Sequence, residues 1–501
     1  MTNDKRFFGH PMGLLVLFLT EMWERFGYYG MRAILLLYLI SDKATGALGL
    51  DEKNGAATYA LYTASVYLLT LPGGWIADNI MGQKKAILYG GILITIGYAL
   101  LAISAGVTVF YIGLITVACG TGLLKANISS IVGELYDPKD NRRRDEAFSI
   151  FYMGINIGSM LGIIIVGYIG ERISWNSGFA AASIAMFLGL IVFALWGKQY
   201  IKGYGEVPSA KLKGANDEPV GSSNINKTVL YGILALLVAY FAYLQLTGQI
   251  DLTSAPGLAN AAKNIIVSIT IAYFLVILFG AGLNTVEKKR VVVLGVFFFA
   301  AALFWSGFEQ AATSFQIFSE RHSVRTFFGW EMPSSWFQFF NAAFIVVFAP
   351  IVNAIWAFLD KKGLNPPIPF KFGLGVLLMG FGFYIMEMGA NVAVTGVKAS
   401  FWFLSMTYVI HTIGELCLSP VGLSAFTKLS PRQFVSQFMG IWFVAASLGN
   451  LIAGLFAGNF EESNLQAMPS LFHQVFLFGT ISGVVLLALY KPIQNWMGGI
   501  K

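Results

Sequence analysis

The residues of this chain best placed to do chemistry are four charged side chains in an otherwise apolar segment near the N-terminus. Glu21, Glu24, Arg25 and Arg32 lie within residues 14–40, which are mostly aliphatic and aromatic. Carboxylates and guanidinium groups inside a membrane helix are by default candidates for proton relays and for binding charged ligands. In a dry site their charge-assisted hydrogen bonds are strong and selective.

The free energy of inserting this segment into lipid shows that the charges need a polar surrounding. Four charged residues near the centre of a membrane helix cost about 12 kcal/mol. The aliphatic and aromatic residues of the same helix return only about 6 kcal/mol. The segment therefore cannot lie in lipid alone, and its charges must face a polar interior.

Helical spacing places these charges on one face. Glu21, Arg25, Tyr28 and Arg32 follow one another by four, three and four residues, which stacks them on a single stripe of a helix. Glu24 lies beside this stripe, as does Tyr29. A purely structural ion pair between Glu21 and Arg25, which are neighbours at i and i+4, is the alternative.

Further charges lie deep in other apolar segments, at Lys125, Glu309 and Glu415. With the first group they make three cations and four anions, a formal sum of −1 that one bound proton would neutralise. The cations Arg25, Arg32 and Lys125 could bind a carboxylate, and Glu415 could bind an ammonium group. These residues predict a proton-binding carrier for a zwitterion, with aromatic side chains lining its apolar pockets.

Composition supports a membrane setting for these residues. Of 501 residues 56% are hydrophobic and only 12% are charged, about half the charged share of a typical soluble domain. The net charge of +7 comes from basic residues in short loops, which argues against a nucleic-acid partner. The two cysteines lie in apolar segments and the four histidines are scattered, so no metal site and no cofactor other than protons is expected.

Fourteen apolar segments are long enough to span a bilayer, which needs about 20 residues each. They lie near 14–41, 57–78, 84–104, 108–127, 147–169, 177–197, 228–248, 263–285, 290–318, 335–359, 369–391, 400–427, 432–458 and 468–491. About 23 of the 33 Lys and Arg residues fall on the side of the N-terminus. The positive-inside rule then places both termini in the cytoplasm of a multi-pass protein of the cell (inner) membrane.

The segments form six helices, a polar linker with two helices, and six more helices. The sequence thus predicts an N-terminal six-helix bundle over 1–200, a linker and two extra helices over 201–285, and a C-terminal bundle over 286–501. Two six-helix bundles are the plan of the major facilitator superfamily, whose substrate site lies between them. The stretch Gly74–Asp78, followed by Gly82–Lys85, resembles that superfamily's cytoplasmic loop motif, and Asp360–Gly363 is a weaker copy.

Three longer motifs carry a closer resemblance. They are Glu21-xx-Glu24-Arg25-Phe-x-Tyr28-Tyr29-Gly-x-Arg32, then Phe151-Tyr152-Met-Gly-Ile-Asn156-Ile-Gly158-Ser159, then Gly414-Glu415-Leu-Cys-Leu-Ser419-Pro420-Val-Gly422-Leu-Ser424. In this order they resemble the proton-dependent oligopeptide transporter family, and the likeness runs nearly end to end. The two extra helices are similar to those of its bacterial di- and tripeptide transporters.

The resemblance implies a role for each matching residue. Glu21, Glu24, Arg25 and Glu309 would couple transport to protons, with Arg32 pairing with Glu309 and Lys125 with Glu415. Arg25, Arg32 and Lys125 would hold the peptide carboxylate. Glu415, with Asn156 and Asn341, would hold the amino terminus. The side-chain pockets would be lined by Tyr28, Tyr29, Tyr67, Trp305, Ser419, Trp442 and Phe443.

Several of these residues have a plain structural alternative. Tyr67, Trp442 and Phe443 could be ordinary packing aromatics, and Asn156 and Asn341 could simply bond across helices. His411, one turn from Glu415, is interpreted as a structural hydrogen-bonding group.

The chain also departs from the family at two positions. It has Lys125-Ala126-Asn127 and Asn341-Ala342 where the family usually has proline, so the bends of those two helices are in question.

The function expected from the sequence is proton-coupled symport of di- and tripeptides by alternating access. The expected partners are the peptide, protons and the lipid bilayer, and a monomer is expected because each chain holds both bundles. A carrier for another anion or drug, a membrane-embedded enzyme and a receptor without transport are the alternatives. Against an enzyme, the sequence has no metal-binding cluster and no Gly-x-Ser-x-Gly motif.

Overall fold

The computed structural model describes residues 6–103, 105–137, 140–208, 225–460 and 462–500, and these are overwhelmingly α-helical. The predicted all-α polytopic class is confirmed. Among the described residues, twelve helices are long and apolar enough to cross a membrane. The central part of the predicted linker, 209–224, lies outside the described residues.

The elements before the linker begin with a short β-hairpin. They are β1 (Arg6–Phe7), β2 (His10–Pro11), α1 (Met12–Ile40), α2 (Glu52–Leu68), α3 (Thr70–Ile76), α4 (Gln83–Ala102), α5 (Val107–Glu134), α6 (Asn141–Arg172) and α7 (Trp175–Tyr200). The two predicted extra helices are α8 (Lys227–Leu246) and α9 (Ala255–Gly280).

A second hairpin interrupts the helices that follow. The elements are α10 (Thr285–Phe308), α11 (Ser314–His322), β3 (Thr326–Phe327), β4 (Trp330–Glu331), α12 (Phe339–Lys361), α13 (Ile368–Val394), α14 (Phe401–Leu429), α15 (Val435–Ala457), α16 (Met468–Ala488) and α17 (Tyr490–Trp496). Short non-α turns cover 43–45, 77–81, 309–312, 334–338, 432–434 and 462–467.

The first two predicted spans are not among the twelve, for a physical reason in each case. Helix α1 has 29 residues, about 44 Å at 1.5 Å per residue, but it carries the four charges. The second span is split, because α2 ends at Leu68 and α3 begins at Thr70. The predicted span 290–318 lies within one of the twelve, Thr285–His322, although the short turn Glu309–Ala312 divides it into α10 and α11.

The described residues form two compact units. Unit 1 is drawn from Met1–Leu50, Ser65–Asp217 and Phe327–Ala342, and unit 2 from Asp51–Ala64, Glu218–Thr326 and Ala343–Lys501. Two short segments, Asp51–Ala64 and Phe327–Ala342, thus belong to a different unit from the residues on either side of them in the sequence. The three-part division predicted from the sequence stays a prediction.

Glycines let α1 and α6 approach closely in unit 1. A Cβ added to Gly158 would lie 2.1 Å from the carbonyl oxygen of Met22, and one added to Gly162 would lie 2.2 Å from that of Phe26. Small residues four apart commonly serve such contacts between membrane helices. The packing presses the charged turn of α1 against α6.

Unit 2 uses the same device around α13. Gly375 faces Gly414 of α14, and Gly380 faces Gly479 of α16, with backbone atoms within 3.0 Å of an added Cβ in each pair. Gly414 directly precedes Glu415, so this contact holds the carboxylate-bearing turn of α14 against α13.

The stretch that resembles the cytoplasmic loop motif is tied to the chain that follows α7. Lys84 Nζ lies 3.2 Å from Glu206 Oε1, and the Lys84 amide donates to the carbonyl of Gly205 at 2.8 Å. The pKa of Glu206 is lowered, most strongly by the hydrogen bond from the Gly203 amide and next by the hydrogen bond from Lys84. Glu206 therefore stays ionised at neutral pH, and its contacts with Lys84 and Gly203 fix the start of the linker.

Helices α8 and α9 are joined by a loop organised around Asp251. Its carboxylate accepts hydrogen bonds from Ser254 Oγ and from the amide and hydroxyl of Thr253. These bonds, first that of Ser254, lower the pKa of Asp251 to about 2. Helix α9 then begins with Ser254 as its N-terminal cap.

Candidate functional site

Arg25 is the centre of the charge cluster in unit 1. Its Nε lies 3.1 Å from Glu21 Oε1 and also donates to Glu24 Oε2. All three side chains are buried, with exposed fractions of 3% for Glu21, 0% for Glu24 and 2% for Arg25. The Glu21–Arg25 ion pair considered from the sequence therefore exists, but Arg25 is shared between two acids.

The cluster is not internally satisfied. Glu21 Oε2, Glu24 Oε1 and Arg25 Nη2 are buried and have no hydrogen-bond partner among the described residues. A buried polar group without a partner costs about 1–3 kcal/mol, more when charged. A bound proton on either acid, or a carboxylate on the arginine, would relieve this cost, so the cluster is suited to both.

Tyrosine rings cover the cations of the stripe on α1. The guanidinium carbon of Arg25 lies 5.0 Å from the ring centre of Tyr28 and 6.0 Å from that of Tyr29. That of Arg32 lies 6.0 Å from the ring of Tyr29. Cation–π contacts of this length stabilise a desolvated cation. The predicted stripe is therefore present as a contiguous group.

Lys125 joins this group from α5. Its Nζ lies 4.2 Å above the ring of Tyr67, and its charge acts on Glu21. Tyr67 therefore contacts Lys125, a predicted site cation, and its role toward a substrate stays a prediction. Helix α5 is continuous through Lys125–Asn127, where the family usually has a proline.

The two asparagines predicted to help bind an amino group both lie in unit 1. Asn156 is buried, and its Nδ2 donates to the carbonyl of Tyr152 in its own helix α6 at 2.9 Å. This bond is not the interhelical one considered as its structural alternative. Asn341 is half-buried near the start of α12, which contains a proline nine residues later, at Pro350.

In unit 2, Glu309 lies at a break in the helix rather than in its middle. It caps α10 and begins the turn Glu309–Ala312, and it is 3% exposed. Irregular backbone at membrane depth is tolerated only where protein or a polar cavity surrounds it. One turn before it, Trp305 has a buried Nε1 with no hydrogen-bond partner among the described residues.

Glu415 and Ser419 lie one turn apart on α14, and both are half-buried. Pro420 lies inside this helix and removes one backbone hydrogen bond. Ser419 Oγ is buried with no hydrogen-bond partner among the described residues. The interpretation of His411 agrees with the structure, since its Nε2 lies 2.9 Å from the carbonyl oxygen of Met379.

Trp442 is 4% exposed and packs in the interior of unit 2. Its ring lies 5.3 Å from Phe426 and 6.5 Å from Phe372, and it covers Gly422, where an added Cβ would meet it at 2.2 Å. This geometry fits the structural alternative. Phe443 beside it is half-buried. Whether either residue contacts a substrate stays a prediction.

Tyr98 on α4 is a member of the cluster that sequence reasoning missed. It is fully buried, its hydroxyl has no hydrogen-bond partner among the described residues, and it interacts electrostatically with Glu24 and Arg25. Gly27 of α1 leaves room for its ring, which an added Cβ would meet at 2.8 Å. The sequence feature that could have identified Tyr98 is a single tyrosine in the apolar stretch 94–101.

The structure thus brings together Glu21, Glu24, Arg25, Tyr28, Tyr29, Arg32, Tyr67 and Lys125 in unit 1. Glu309, Trp305, Glu415 and Ser419 lie in unit 2, and the pairs Arg32–Glu309 and Lys125–Glu415 stay predictions. No group of three or more His, Cys, Asp or Glu side chains that could hold a metal ion is found in the described part of the chain.

Comparisons with known proteins agree in family and fold. The model of the POT family matches residues 84–471. The peptide transporter YePEPT of Yersinia enterocolitica is 37% identical, with 100% of this chain and 98% of that protein aligned. The di-/tripeptide transporter of Lactococcus lactis subsp. cremoris is 35% identical, with 100% and 99% aligned.

A solved structure is similar over almost the whole chain. The crystal structure of a peptide transporter POT in complex with sulfate has a TM-score of 0.87 and 35% identity, and covers 99% of this chain and 98% of its own. The aligned region extends to α1, whose residues lie before the part of the chain that the family model matches. This chain therefore belongs to the POT family and is a membrane transporter of the major facilitator fold, not an enzyme.

Proposed function

We propose that this protein takes up di- and tripeptides together with protons by alternating access. The observation that carries the proposal is the buried cluster in which Arg25 is shared by Glu21 and Glu24, while one oxygen of each acid and one nitrogen of the arginine lack a partner among the described residues. Such a cluster accepts a proton on an acid and a carboxylate on the arginine.

The formal charges of the candidate site residues in the two units suit the two ends of a peptide. In unit 1, Arg25, Arg32 and Lys125 exceed Glu21 and Glu24 by one positive charge, which suits a carboxylate. In unit 2, Glu309 and Glu415 supply two negative charges, which suit one ammonium group and one proton. A neutral zwitterion plus one proton would leave the whole set neutral, which favours symport over uptake of a free anion.

The relatives support the substrate class. Two relatives align over nearly their whole length. One is named a peptide transporter and the other a di-/tripeptide transporter. A further POT transporter, 30% identical to this chain, was solved with 5-aminolevulinic acid, which carries an amino group and a carboxylate. A ligand with both charged ends is what the proposed cations of unit 1 and Glu415 of unit 2 would bind.

In the proposed cycle, a proton from outside neutralises Glu309 and weakens its pairing with Arg32. The freed guanidinium then helps to bind the peptide carboxylate, and the protein opens to the cytoplasm. One proton crossing about 150 mV supplies about 3.5 kcal/mol, and each pH unit adds about 1.4 kcal/mol. Tight coupling would thus support peptide accumulation of a hundredfold or more.

Uptake into liposomes tests this proposal. Labelled dialanine should accumulate only with an inwardly directed proton gradient, and unlabelled dipeptides should compete where free amino acids do not. Peptide flux that does not depend on the gradient would show that the protein carries peptides without proton coupling. No peptide flux would redirect the search to other small anions.

Glu309→Gln separates proton coupling from peptide binding. The amide keeps the size of the side chain but cannot be protonated in this range, so gradient-driven uptake should be lost while counterflow exchange of peptide continues. Gln316→Asn, which changes an amide side chain nearby without changing the charge, is the control. Gradient-driven uptake by Glu309→Gln would move the proton site to Glu21 or Glu24.

A further inference from the structure

The two β-hairpins of the chain share the same turn sequence, Phe-Phe-Gly. In the first, Phe7 pairs with His10 across Phe8 and Gly9. In the second, β3 and β4 flank Phe328 and Gly329. The φ angles are 48° and 81° in the first turn and 51° and 79° in the second. Left-handed conformations at both central residues define a type I′ turn.

Phenylalanine is a costly choice for the first position of this turn. Asn, Asp and Gly adopt positive φ readily, whereas a bulky side chain there is a true outlier. Neither ring gains burial in return, because Phe8 is 72% exposed and Phe328 is fully exposed. A strained residue with an exposed aromatic ring points to a binding function for that ring.

Helix α6 locates both hairpins relative to the membrane. Near its start, Arg143 Nη2 donates to the carbonyl of Gly9 at 3.0 Å. At its end, Arg172 Nη2 donates to the carbonyl of Glu331. The two arginines are 29 positions apart in the helix, which is about 44 Å at 1.5 Å per residue. A bilayer with its headgroups is about 40–45 Å thick, so the hairpins lie at its two opposite boundaries.

The second hairpin carries another residue typical of that boundary. Trp330 is 45% exposed and its ring lies 5.4 Å from that of Trp336. Tryptophan is enriched where membrane proteins meet the headgroup region. In the first hairpin, Phe7 anchors the turn by packing 5.6 Å from Phe18 of α1, which leaves Phe8 as the projecting ring.

We propose that Phe8 and Phe328 are lipid anchors that insert into the headgroup and upper acyl region, one in each leaflet. The bilayer presents the same kind of apolar boundary at both ends of α6, whereas a protein partner would need a separate pocket on each side of the membrane. The hairpins thus attach the two ends of α6 to the two membrane surfaces. Interfacial insertion of exposed apolar side chains is a general mode of membrane binding.

Site-directed fluorescence in liposomes tests the proposal. In a background with Cys119→Ala and Cys417→Ala, Phe8→Cys and Phe328→Cys are each labelled with a fluorophore sensitive to polarity. Both labels should shift to the blue and lose fluorescence to lipids spin-labelled near the headgroup, more than to lipids spin-labelled near the chain end. Aqueous iodide should quench them weakly.

Two control positions calibrate the measurement. Lys43→Cys lies in an exposed loop and should be quenched by iodide, while Phe187→Cys, on an exposed face of α7, should be quenched by lipids labelled near the chain end. Hairpin labels that behave like Lys43→Cys overturn the proposal, as do labels shielded from both quenchers by protein. A lipid signature at one hairpin alone contradicts an anchor in each leaflet.

Discussion

At the residue scale, the proposed chemistry rests on buried polar atoms that have no hydrogen-bond partner among the described residues. Arg25 satisfies one oxygen of Glu21 and one of Glu24, and the remaining oxygen of each acid has no partner among the described residues. The Tyr98 phenol interacts electrostatically with Glu24 and Arg25. A cluster that a proton or ligand completes can exist in two charge states. A fully satisfied salt bridge would be stable in only one of them.

Tyr98→Phe should impair transport without unfolding the protein. The variant removes only a hydroxyl that has no partner among the described residues, so thermal stability should be unchanged or slightly higher. If the phenol donates to Glu24 during the cycle, losing a hydrogen bond to a charged group worth about 2 kcal/mol should slow uptake at least tenfold and shift its pH profile.

Tyr89→Phe is the matched control, since Tyr89 is on the same helix and half exposed. The role assigned to Tyr98 would be wrong if Tyr98→Phe transported normally. It would also be wrong if uptake fell only in step with the amount of folded protein, because the hydroxyl would then be structural.

Arg25→Met should destabilise the protein by about 3–5 kcal/mol, because it leaves two buried carboxylates without their shared cation. Adding Glu21→Gln and Glu24→Gln to this variant should restore much of the loss, since the uncompensated charges are then removed. Thermal unfolding in detergent measures both effects, with Lys43→Met as an exposed control. Equal destabilisation of the single and triple variants would contradict this account of the cluster.

At the element scale, the positions of helices were largely predictable and their interruptions were not. The long apolar segments of the sequence located most of the membrane-spanning helices, because lipid imposes a minimum length on each such helix. The break at Glu309 has no Pro or Gly at 309–312 to signal it. The hairpins use Phe where turn rules expect Asn or Asp. Tyr98 was missed because its role depends on the packing of α4 against α1, which a single sequence does not give.

The packing of α1 on α6 makes a sharp prediction at this scale. Gly158→Ala places a Cβ where it would lie 2.1 Å from the Met22 carbonyl, so α1 must move and the charge cluster with it. We expect a loss of about 1–3 kcal/mol in stability and a larger loss of uptake. Gly232→Ala on α8 is the control, because nothing lies within 4 Å of its added Cβ.

For Gly232→Ala, the free energy of unfolding should be unchanged or higher by up to about 1 kcal/mol, since alanine favours a helix over glycine. Thermal unfolding and dialanine uptake of the two variants, measured side by side, separate packing from helix propensity. Equal behaviour of Gly158→Ala and Gly232→Ala would show that the close approach of α1 and α6 is unimportant.

At the scale of the whole molecule, one chain carries every group that the proposed cycle uses. The cations of the proposed carboxylate site lie in unit 1, and Glu309 and Glu415 lie in unit 2 of the same chain. No step needs a side chain from a second copy. We therefore propose that the transporting unit is a monomer, even where copies associate in the membrane.

Mixing active and inactive chains tests this directly. Wild-type protein and Glu309→Gln are reconstituted together at varied ratios and constant total protein, after Glu309→Gln has been shown to lack gradient-driven uptake alone. If each chain works by itself, uptake falls in proportion to the wild-type fraction. If two active copies must cooperate, uptake falls with the square of that fraction, and a curve of that shape would show that the cycle depends on an interface between copies.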